Sequence, residues 1–276
     1  MKKFAVVCAA GIGDALLMQI AARHLRDLGH ETVTVSKHLK ELSDWFPGFQ
    51  FSDELVDCDA MVLQHDNSTR AFEIHAGQKP VYTFFGSHVL SKHGPLRKKM
   101  DFVFDPSICM AENILAAMQE LFGIDGDLGN GLVAPKQFVK QPNRVVLHTG
   151  SASAEKNWPE SSFFELQERL EADGWETVIL PFFPNLSQLA TFLYESAALI
   201  GNDSGPGHLA SNLGLPTVII GPNKEQLTFW RPGWRRGEIV YPPSWTTQFK
   251  LTRKYWKQFI SVNHVYKVFN KIVDTQ

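Results

Sequence analysis

The amino-acid sequence predicts an α/β protein made of two Rossmann-like domains, each built on a parallel sheet. Three observations lead to this prediction. Short apolar runs alternate with amphipathic stretches, one Gly-, Asp-, Asn- and Pro-rich stretch interrupts the alternation, and small polar residues follow several apolar runs. Parallel neighbours need a crossover connection, usually a helix, so regular strand–helix alternation is typical of parallel sheets. A length of 276 residues accommodates two domains of ordinary size.

The alternation runs through both halves of the chain. Apolar runs predict strands, and amphipathic stretches predict helices. The predicted strands are residues 4–10, 32–36, 60–63, 81–85, 102–104, 145–149, 176–181, 199–202 and 217–220. The predicted helices are residues 14–28, 111–122, 160–173, 186–198 and 208–213.

The polar stretch at residues 123–142 predicts the linker between the two series. We therefore expect an N-terminal domain over residues 1–140 and a C-terminal domain over 141–276, with the final helix a candidate to pack back on the first domain. Ligands of open α/β sheets bind at the carboxyl ends of the strands. The two sheets are accordingly expected to face each other across a cleft that collects the loops after Ala10, Thr149 and Asn202.

Composition excludes several classes of protein. The formal net charge of -2 argues against a nucleic-acid binder, which would carry a strong basic excess. The three cysteines lack metal-site spacing and are odd in number, which favours a reducing, cytoplasmic location. The apolar N-terminus is interrupted at once by Gly11, Gly13 and Asp14, so it predicts a buried first strand rather than a signal peptide or membrane span.

The loop after the first strand, Gly11-Ile12-Gly13-Asp14, contains a glycine pair that lets the backbone approach a ligand closely. It is not a dinucleotide fingerprint, because Leu16 occupies the place of the third glycine. Two interpretations of Asp14 remain open. It is either the N-cap of the following helix or a base that accepts a proton from a substrate hydroxyl.

A second polar loop follows the strand at 145–149. It begins with Thr149-Gly150-Ser151, reaches Lys156 five residues later, and leads into a helix opened by Pro159. Hydroxyls and free backbone N–H groups bind phosphate oxygens, and a lysine supplies a point charge for them. The alternative is a flexible serine-rich loop with a solvated lysine.

The third loop carries the strongest signal. Asp203-Ser204-Gly205-Pro206-Gly207-His208 follows an apolar strand and opens a helix, and proline suits a first helical turn. A helix N-terminus presents orphan N–H groups and about half a positive charge. We therefore predict a phosphate-binding turn in which His208 contacts the ligand. A serine-protease site is excluded, because those enzymes are all-β and no separate His and Asp complete a triad.

Basic residues form two further groups. One comprises Lys92, His93, Arg97, Lys98 and Lys99, and the other lies between Arg231 and Ile272, interleaved with tryptophans. Such surfaces suit an anionic acceptor or an anionic lipid surface. The alternative is an ordinary solvated face.

Taken together, the three loops resemble the family-9 glycosyltransferases, the heptosyltransferases of lipopolysaccharide core assembly. The first part of the resemblance is Gly13-Asp14 with Leu16-Leu17, and the second is Thr149-Gly150-Ser151 with Lys156-x-Trp158-Pro159. The third and most specific part is Ala198-Leu-Ile-Gly-Asn-Asp-Ser-Gly-Pro-Gly-His-Leu-Ala210, continued by Leu213-Gly-Leu-Pro216 and Gly221-Pro222. Residues 260–265 resemble the closing helix of that family.

The resemblance implies a GT-B fold and inverting transfer without a metal or cofactor. It makes Asp14 the general base and Lys156 the catalytic cation on the leaving diphosphate. The donor set it implies consists of Gly13, Thr149, Gly150, Ser151, Lys156, Asp203, Ser204, Gly205 and His208. The expected donor is a nucleotide-diphosphate sugar, with ADP-heptose favoured.

On the acceptor side, the resemblance implies an anionic glycolipid or oligosaccharide. The candidate contacts to this acceptor are Lys92, Arg97, Lys98 and Lys99. The resemblance also makes the protein a candidate for peripheral association with the cytoplasmic face of the inner membrane. One departure concerns the donor, because no acid lies between Val178 and Glu195, where the family has an acidic residue on the donor ribose. Two alternatives stay open: a sugar-nucleotide epimerase or hydrolase of the same fold, and a binding protein that has lost turnover.

Overall fold

A computed structural model describes residues 1–151, 153–235, 237–248 and 255–273. The chain divides into two compact units, Met1–Val133 and Ala134–Gln276. The division lies inside the stretch 123–142 that the sequence marks as a linker. Within the basic C-terminal stretch, Arg236 and residues 249–254 lie outside the described residues.

The first unit is a parallel sheet of six strands in the order β3-β2-β1-β4-β5-β6. Its strands are β1 (Lys3–Val7), β2 (Glu31–Val35), β3 (Gln50–Ser52), β4 (Ala60–His65), β5 (Val81–Phe85) and β6 (Asp101–Val103). Its helices are α1 (Ile12–Asp27), α2 (Thr69–His75), α3 (Leu90–His93) and α4 (Met110–Phe122), with a 3-10 helix at Leu39–Trp45.

The second unit is a parallel sheet of five strands in the order β11-β10-β9-β7-β8. Its strands are β7 (Arg144–His148), β8 (Glu176–Ile179), β9 (Ala198–Asn202), β10 (Thr217–Ile220) and β11 (Gly237–Val240). Its helices are α5 (Glu160–Ala172), α6 (Leu186–Glu195), α7 (Gly205–Asn212), α8 (Lys224–Trp230), α9 (Trp245–Gln248) and α10 (Val262–Val273). Short 3-10 helices lie at Ala154–Lys156 and Trp256–Phe259.

The predicted α/β class with parallel sheets is confirmed, and the differences concern element ends and short elements. Helix α7 begins at Gly205 rather than at His208, because Pro206 fits the first turn. Strand β1 ends at Val7 rather than at Ala10, and the Ala9 N–H donates to a side chain instead of a ladder partner. The predicted elements do not include β3, β11, α2 or α8, which are three to seven residues long.

The final helix, α10, belongs to the core of the second unit. Its residues Val265, Phe269 and Ile272 are buried in one cluster with side chains of β7, β9, β10 and α5. The apolar face of α10 is therefore used within this unit.

The strand order creates one switch point in each sheet. In the first, β1 pairs with β2 on one side and with β4 on the other. In the second, β7 pairs with β8 and β9. A crevice opens at the carboxyl ends of two strands whose connections leave in opposite directions, and ligands of open α/β sheets bind there. The loops after β1 and β4, and those after β7 and β9, therefore lie at the two places where a ligand is expected.

Candidate active site

Asp14 lies in the first turn of α1 but is not its N-cap. Gly11 holds the N-cap position, which makes Asp14 the third residue of the helix. The Asp14 carboxylate accepts hydrogen bonds from the Gly11 backbone N–H and from Nε2 of Gln64, the latter at 2.5 Å. A Cβ on Gly11 would lie 2.6 Å from Asp14 Oδ2, so only glycine leaves room for this arrangement. The N-cap interpretation of Asp14 is wrong, because its side chain reaches back over the N-cap.

Gln64 holds the Asp14 carboxylate in place. It is buried near the carboxyl end of β4, and its Oε1 accepts the Ala9 N–H at 3.1 Å. That bond orients the amide group so that its nitrogen faces Asp14. Burial raises the pKa of Asp14 above its ordinary value, while the hydrogen bonds from Gln64 and Gly11 work in the opposite direction. A carboxylate with a raised pKa is a stronger base than an ordinary surface aspartate.

A cavity of about 260 Å³ lies at the carboxyl ends of β1, β2 and β4 and includes Gln64 in its wall. Its charged lining residues are Lys37, Asp53, Asp66 and Arg70, and Ser36 and Ser68 add hydroxyl groups. A wall that carries both charge signs and several hydroxyls can hydrogen-bond a polyhydroxylated ligand. Gln64, Lys37 and Arg70 were not among the predicted site residues, because only the strand order brings them beside the loop after β1.

The other predicted residues of the first unit are spread out. Gly13 is buried in the first turn of α1, in the first unit, whereas the other predicted donor residues lie in the second unit. Lys92, Lys98 and Lys99 are exposed on the connection between β5 and β6. Arg97 differs from them. Its guanidinium donates to the buried carboxylate of Asp101 at 2.7 and 3.1 Å and to the Val81 carbonyl at 3.0 Å. These bonds give Arg97 a structural role.

In the second unit, Asn202 ties together both ends of the loop after β7. Its Nδ2 donates to the Thr149 carbonyl at 2.7 Å, and its Oδ1 accepts the Trp158 N–H at 2.8 Å. Asn202 itself is fully buried. The neighbouring Gly201 allows β9 to approach β7, because a Cβ there would lie 2.7 Å from the Cβ of His148. An asparagine at the end of an apolar run was the sequence signal that could have indicated this clamp.

The loop held by this clamp contains four of the predicted donor residues. Thr149, Gly150 and Ser151 are partly exposed, and Lys156 is exposed at the end of the 3-10 helix. The Ser151 hydroxyl lies 2.5 Å from Oδ1 of Asn157 and 2.9 Å from the Ser153 carbonyl, so it shapes its own loop. Beyond Lys156, the buried Trp158 anchors the loop by donating its indole N–H to the Ile260 carbonyl at 3.1 Å.

The turn after β9 presents backbone N–H groups at the start of α7. Ser204 is the N-cap, and its hydroxyl donates to the Asn202 carbonyl at 3.0 Å instead of capping the helix. Pro206 has no N–H, and the Gly207 N–H donates to the Ser204 carbonyl at 3.1 Å. The N-cap and first-turn positions make the Ser204 and Gly205 N–H groups the donors expected to be available to a ligand at this helix start. Gly207 is required for packing, since a Cβ there would lie 2.7 Å from Ile219.

Three titratable groups with shifted pKa values lie at or beside this turn. Burial raises the pKa of Asp203, and the positive charge of Lys156 works against that increase. Burial lowers the pKa of His208 and of His148 to about 4. His208 is therefore neutral at neutral pH and provides a hydrogen-bonding nitrogen rather than a charge. Its Nδ1 is buried and has no hydrogen-bond partner among the described residues.

Two parallel α/β units, each with a polar loop set at its switch point, place the chain in the GT-B class of folds. No family model matches the sequence. Solved structures similar to the chain include a family-9 glycosyltransferase from Veillonella parvula, with a TM-score of 0.71, 16% identity, and coverage of 100% of this chain and 98% of that one. The E. coli heptosyltransferase WaaC with ADP has a TM-score of 0.71 and 12% identity, covering 98% and 99% of the two chains.

A curated relative adds a sequence match. Over 135 residues the chain is 26% identical to lipopolysaccharide heptosyltransferase 1 of Campylobacter coli. This match covers 38% of this chain and 39% of the relative. The match thus spans about two fifths of the relative's length. Together, these comparisons confirm the resemblance to the family-9 glycosyltransferases, and the structures confirm it at the level of the fold.

Two kinds of feature are absent from the described residues. No group of three or more His, Cys, Asp and Glu side chains is arranged there to hold a metal ion. None of the helices in the described ranges is long and apolar enough to cross a bilayer.

Proposed function

We propose that the protein is an inverting glycosyltransferase that moves a sugar from a nucleotide-diphosphate donor to a glycan or lipid-linked acceptor. The observation that carries the proposal is that the candidate chemical groups of each unit lie at the switch point of its sheet. The carboxylate with a raised pKa lies at the switch point of the first sheet, and the exposed lysine and the helix start follow the switch-point strands of the second. The likeness to heptosyltransferase structures supports the same reaction class.

The second unit is proposed to bind the donor diphosphate. Lys156 supplies a full positive charge, and the N–H groups of Ser204 and Gly205 add dipoles at the start of α7. Such groups stabilise the negative charge that develops on the diphosphate as the anomeric C–O bond breaks. Asp203 orders the turn or contacts the sugar, and the neutral His208 offers one further hydrogen bond. The diphosphate leaves with both electrons of the broken bond.

The first unit is proposed to activate the acceptor. Asp14 accepts the proton of an acceptor hydroxyl while the oxygen attacks the anomeric carbon of the donor sugar. Attack on the face opposite the leaving diphosphate inverts the configuration at that carbon. Gln64 keeps the carboxylate aimed during this step, since its amide is fixed by the Ala9 N–H. In the cavity wall, Lys37 and Arg70 suit the negatively charged groups of an acceptor, and Asp53 and Asp66 suit its hydroxyl groups.

The finer assignment is a heptose moved from ADP-heptose to the lipopolysaccharide core. Two comparisons support it. The Campylobacter coli relative is a lipopolysaccharide heptosyltransferase, and the similar E. coli heptosyltransferase structure contains ADP. We further propose that the reaction takes place in the cytoplasm, at the inner face of the inner membrane, because a lipid-linked acceptor would be found there.

The proposal can be tested by thermal shift with ADP, GDP, UDP and CMP, followed by transfer assays with the sugar nucleotide of the base that binds. We expect ADP alone to raise the melting temperature, and Lys156→Ala to remove most of that shift. Transfer to a core oligosaccharide should then invert the anomeric configuration of the sugar, as read by NMR.

Other results would favour the alternatives. Release or isomerisation of the sugar without an acceptor would indicate an epimerase or hydrolase. Tight binding without turnover on any core acceptor would indicate a binding protein. Absence of stabilisation by all four nucleotides would contradict the donor assignment itself.

A further inference from the structure

The loop after β8 exposes apolar side chains at the carboxyl end of the second sheet. The strand is followed by Leu180-Pro181-Phe182-Phe183-Pro184, a run of five apolar residues. Both prolines and Phe182 are exposed, and Phe182 is 91% exposed. Among the large hydrophobic side chains of the described residues, only that of the terminal Met1 is more exposed. Runs of exposed apolar residues are avoided on a protein surface unless they serve a function.

The backbone of this loop is anchored on both sides of Phe182. The two prolines fix their own φ angles and so restrict the chain before and after the aromatic pair. The ring of Phe183 packs on the ring of Phe192 in α6, with the centroids 5.2 Å apart. Asn185 then caps α6 by accepting a backbone N–H of its first turn at 2.9 Å. The loop therefore holds one phenylalanine against the helix and presents the other to solvent.

Strand pairing places this loop beside the proposed donor loops. Strand β8 pairs with β7, and the Leu180 N–H donates to the Leu147 carbonyl at 2.9 Å. The next residue of β7, His148, pairs with Gly201 of β9 on its other side. Neighbouring strands lie about 4.8 Å apart. The ends of β8, β7 and β9 thus follow one another along the sheet, with the Phe182 loop on one side and the start of α7 on the other.

A nucleotide bound across strand ends of this kind has two parts. The phosphates lie at the switch-point loop and helix start, and the nucleoside extends toward the end of the neighbouring strand. In dinucleotide-binding sheets an acidic residue near that second strand end hydrogen-bonds the ribose. Residues 179–194 of this chain contain no acid. The end of β8 offers an exposed aromatic ring instead, and aromatic rings bind bases by stacking.

We propose that Phe182 stacks on the nucleobase of the donor, so that the loop after β8 is the base-binding part of the donor site. This assignment rests on the proposed function, because it concerns one part of the same ligand. Every base has a π-face, so Phe182 supplies affinity rather than a choice between bases. His148, half-buried at the end of β7, lies between the base and the diphosphate in this arrangement.

The test compares a nucleoside diphosphate with inorganic pyrophosphate, which has no base. The full chain is titrated with ADP, or with GDP or UDP if one of these stabilises the wild type instead. Pyrophosphate is measured by competition against that nucleotide, so that weak binding remains measurable. Phe182→Ala should weaken nucleotide binding about tenfold and leave pyrophosphate binding unchanged, because only stacking is lost. Phe182→Trp keeps an aromatic face and should bind the nucleotide within about twofold of the wild type.

Phe164→Ala is the matched control. Phe164 is 49% exposed on α5 of the same unit, and its replacement should not change either affinity. Thermal melts verify that every variant is folded. The assignment is overturned if Phe182→Ala binds the nucleotide as the wild type does, if it loses pyrophosphate affinity equally, or if Phe182→Trp binds no better than Phe182→Ala.

Lys156→Ala separates failure of this assignment from failure of the proposed function. Weaker nucleotide binding in Lys156→Ala, together with unchanged binding in Phe182→Ala, would overturn only the role of Phe182. A wild type that binds none of the three nucleoside diphosphates would overturn both.

Discussion

The candidate groups of the two units are held in opposite ways. In the first unit the carboxylate of Asp14, the proposed base, is largely buried and is held by two hydrogen-bond donors. In the second unit Lys156, the proposed cation, is exposed on a loop whose ends are fixed by a buried asparagine. One site constrains the reactive group itself, and the other constrains only the backbone that carries it.

The difference follows from what each group is proposed to do. A general base gains from burial, because a raised pKa makes it a stronger proton acceptor and fixed geometry shortens proton transfer. A cation that binds a diphosphate must stay ionised, and burial without a partner would discharge it. The loop around Lys156 can therefore be rigid at its ends while the ammonium group stays in water until the ligand arrives.

The largest expected effect tests the base. Asp14→Asn should lower the transfer rate about 1000-fold, because the amide cannot accept the proton. Nucleotide affinity measured by calorimetry should stay within a factor of two or so, since the acceptor step alone is affected. Asp27→Asn, at the other end of α1, is the control and should leave the rate unchanged. Loss of nucleotide affinity in Asp14→Asn would instead assign Asp14 to the structure of the unit.

The second prediction tests the exposed cation. Lys156→Ala should weaken ADP binding about 30-fold, as expected for loss of one hydrogen bond between charged groups. Because Lys156 is exposed, the melting temperature of the unliganded protein should hardly change. Lys267→Ala, an exposed lysine on α10, should bind ADP normally. Equal affinities for the two variants would remove Lys156 from the donor site.

The third prediction tests the clamp that the exposed cation depends on. Asn202→Ala leaves the Thr149 carbonyl and the Trp158 N–H without their partner, so unfolding should cost about 2 kcal/mol less. ADP affinity should fall as well, because the loop loses its fixed ends. Asn185→Ala removes a single helix-capping bond in α6 and should destabilise the unit by about 1 kcal/mol without changing ADP affinity. If both variants bind ADP equally, the clamp does not serve the donor site.

The smallest effect concerns the positioning of the base. Gln64→Leu removes a hydrogen bond that lowers the pKa of Asp14, so that pKa should rise further. Asp14 acts only when deprotonated, so the acidic limb of the pH–rate profile should move to higher pH. The maximal rate should fall about tenfold.

Gln19→Leu is the matched control for Gln64→Leu. It replaces another buried glutamine of the same unit, one whose Nε2 donates to Thr34 at 2.6 Å. It should lower stability and leave the pH profile in place. A profile that does not move in Gln64→Leu would limit Gln64 to a structural role.

Continuous apolar runs and long periodic helices could be predicted from the sequence, and elements that have neither could not. The α/β alternation, the strands β5 and β10 and the helices α1, α4, α5 and α6 follow directly from apolar periodicity. Strand β11, Gly-Glu-Ile-Val, lacks a continuous apolar run, and helix α8 has only about two turns, so packing against the sheet decides their conformation. Asp14 was identified as a candidate base, but its position inside the helix depended on the conformation of Gly11.

The sequence by itself determined the class of fold and the three loops that carry polar chemistry, because strand periodicity and helix-start residues are local properties. Only the tertiary structure decided which side chains serve those loops. Gln64 is separated from Asp14 by 50 positions, and Asn202 from Thr149 by 53, and each pair meets because its strands are neighbours in the sheet. The structure also distinguishes Arg97 from its lysine neighbours. Its guanidinium is paired with the buried carboxylate of Asp101, while the lysines are exposed to water.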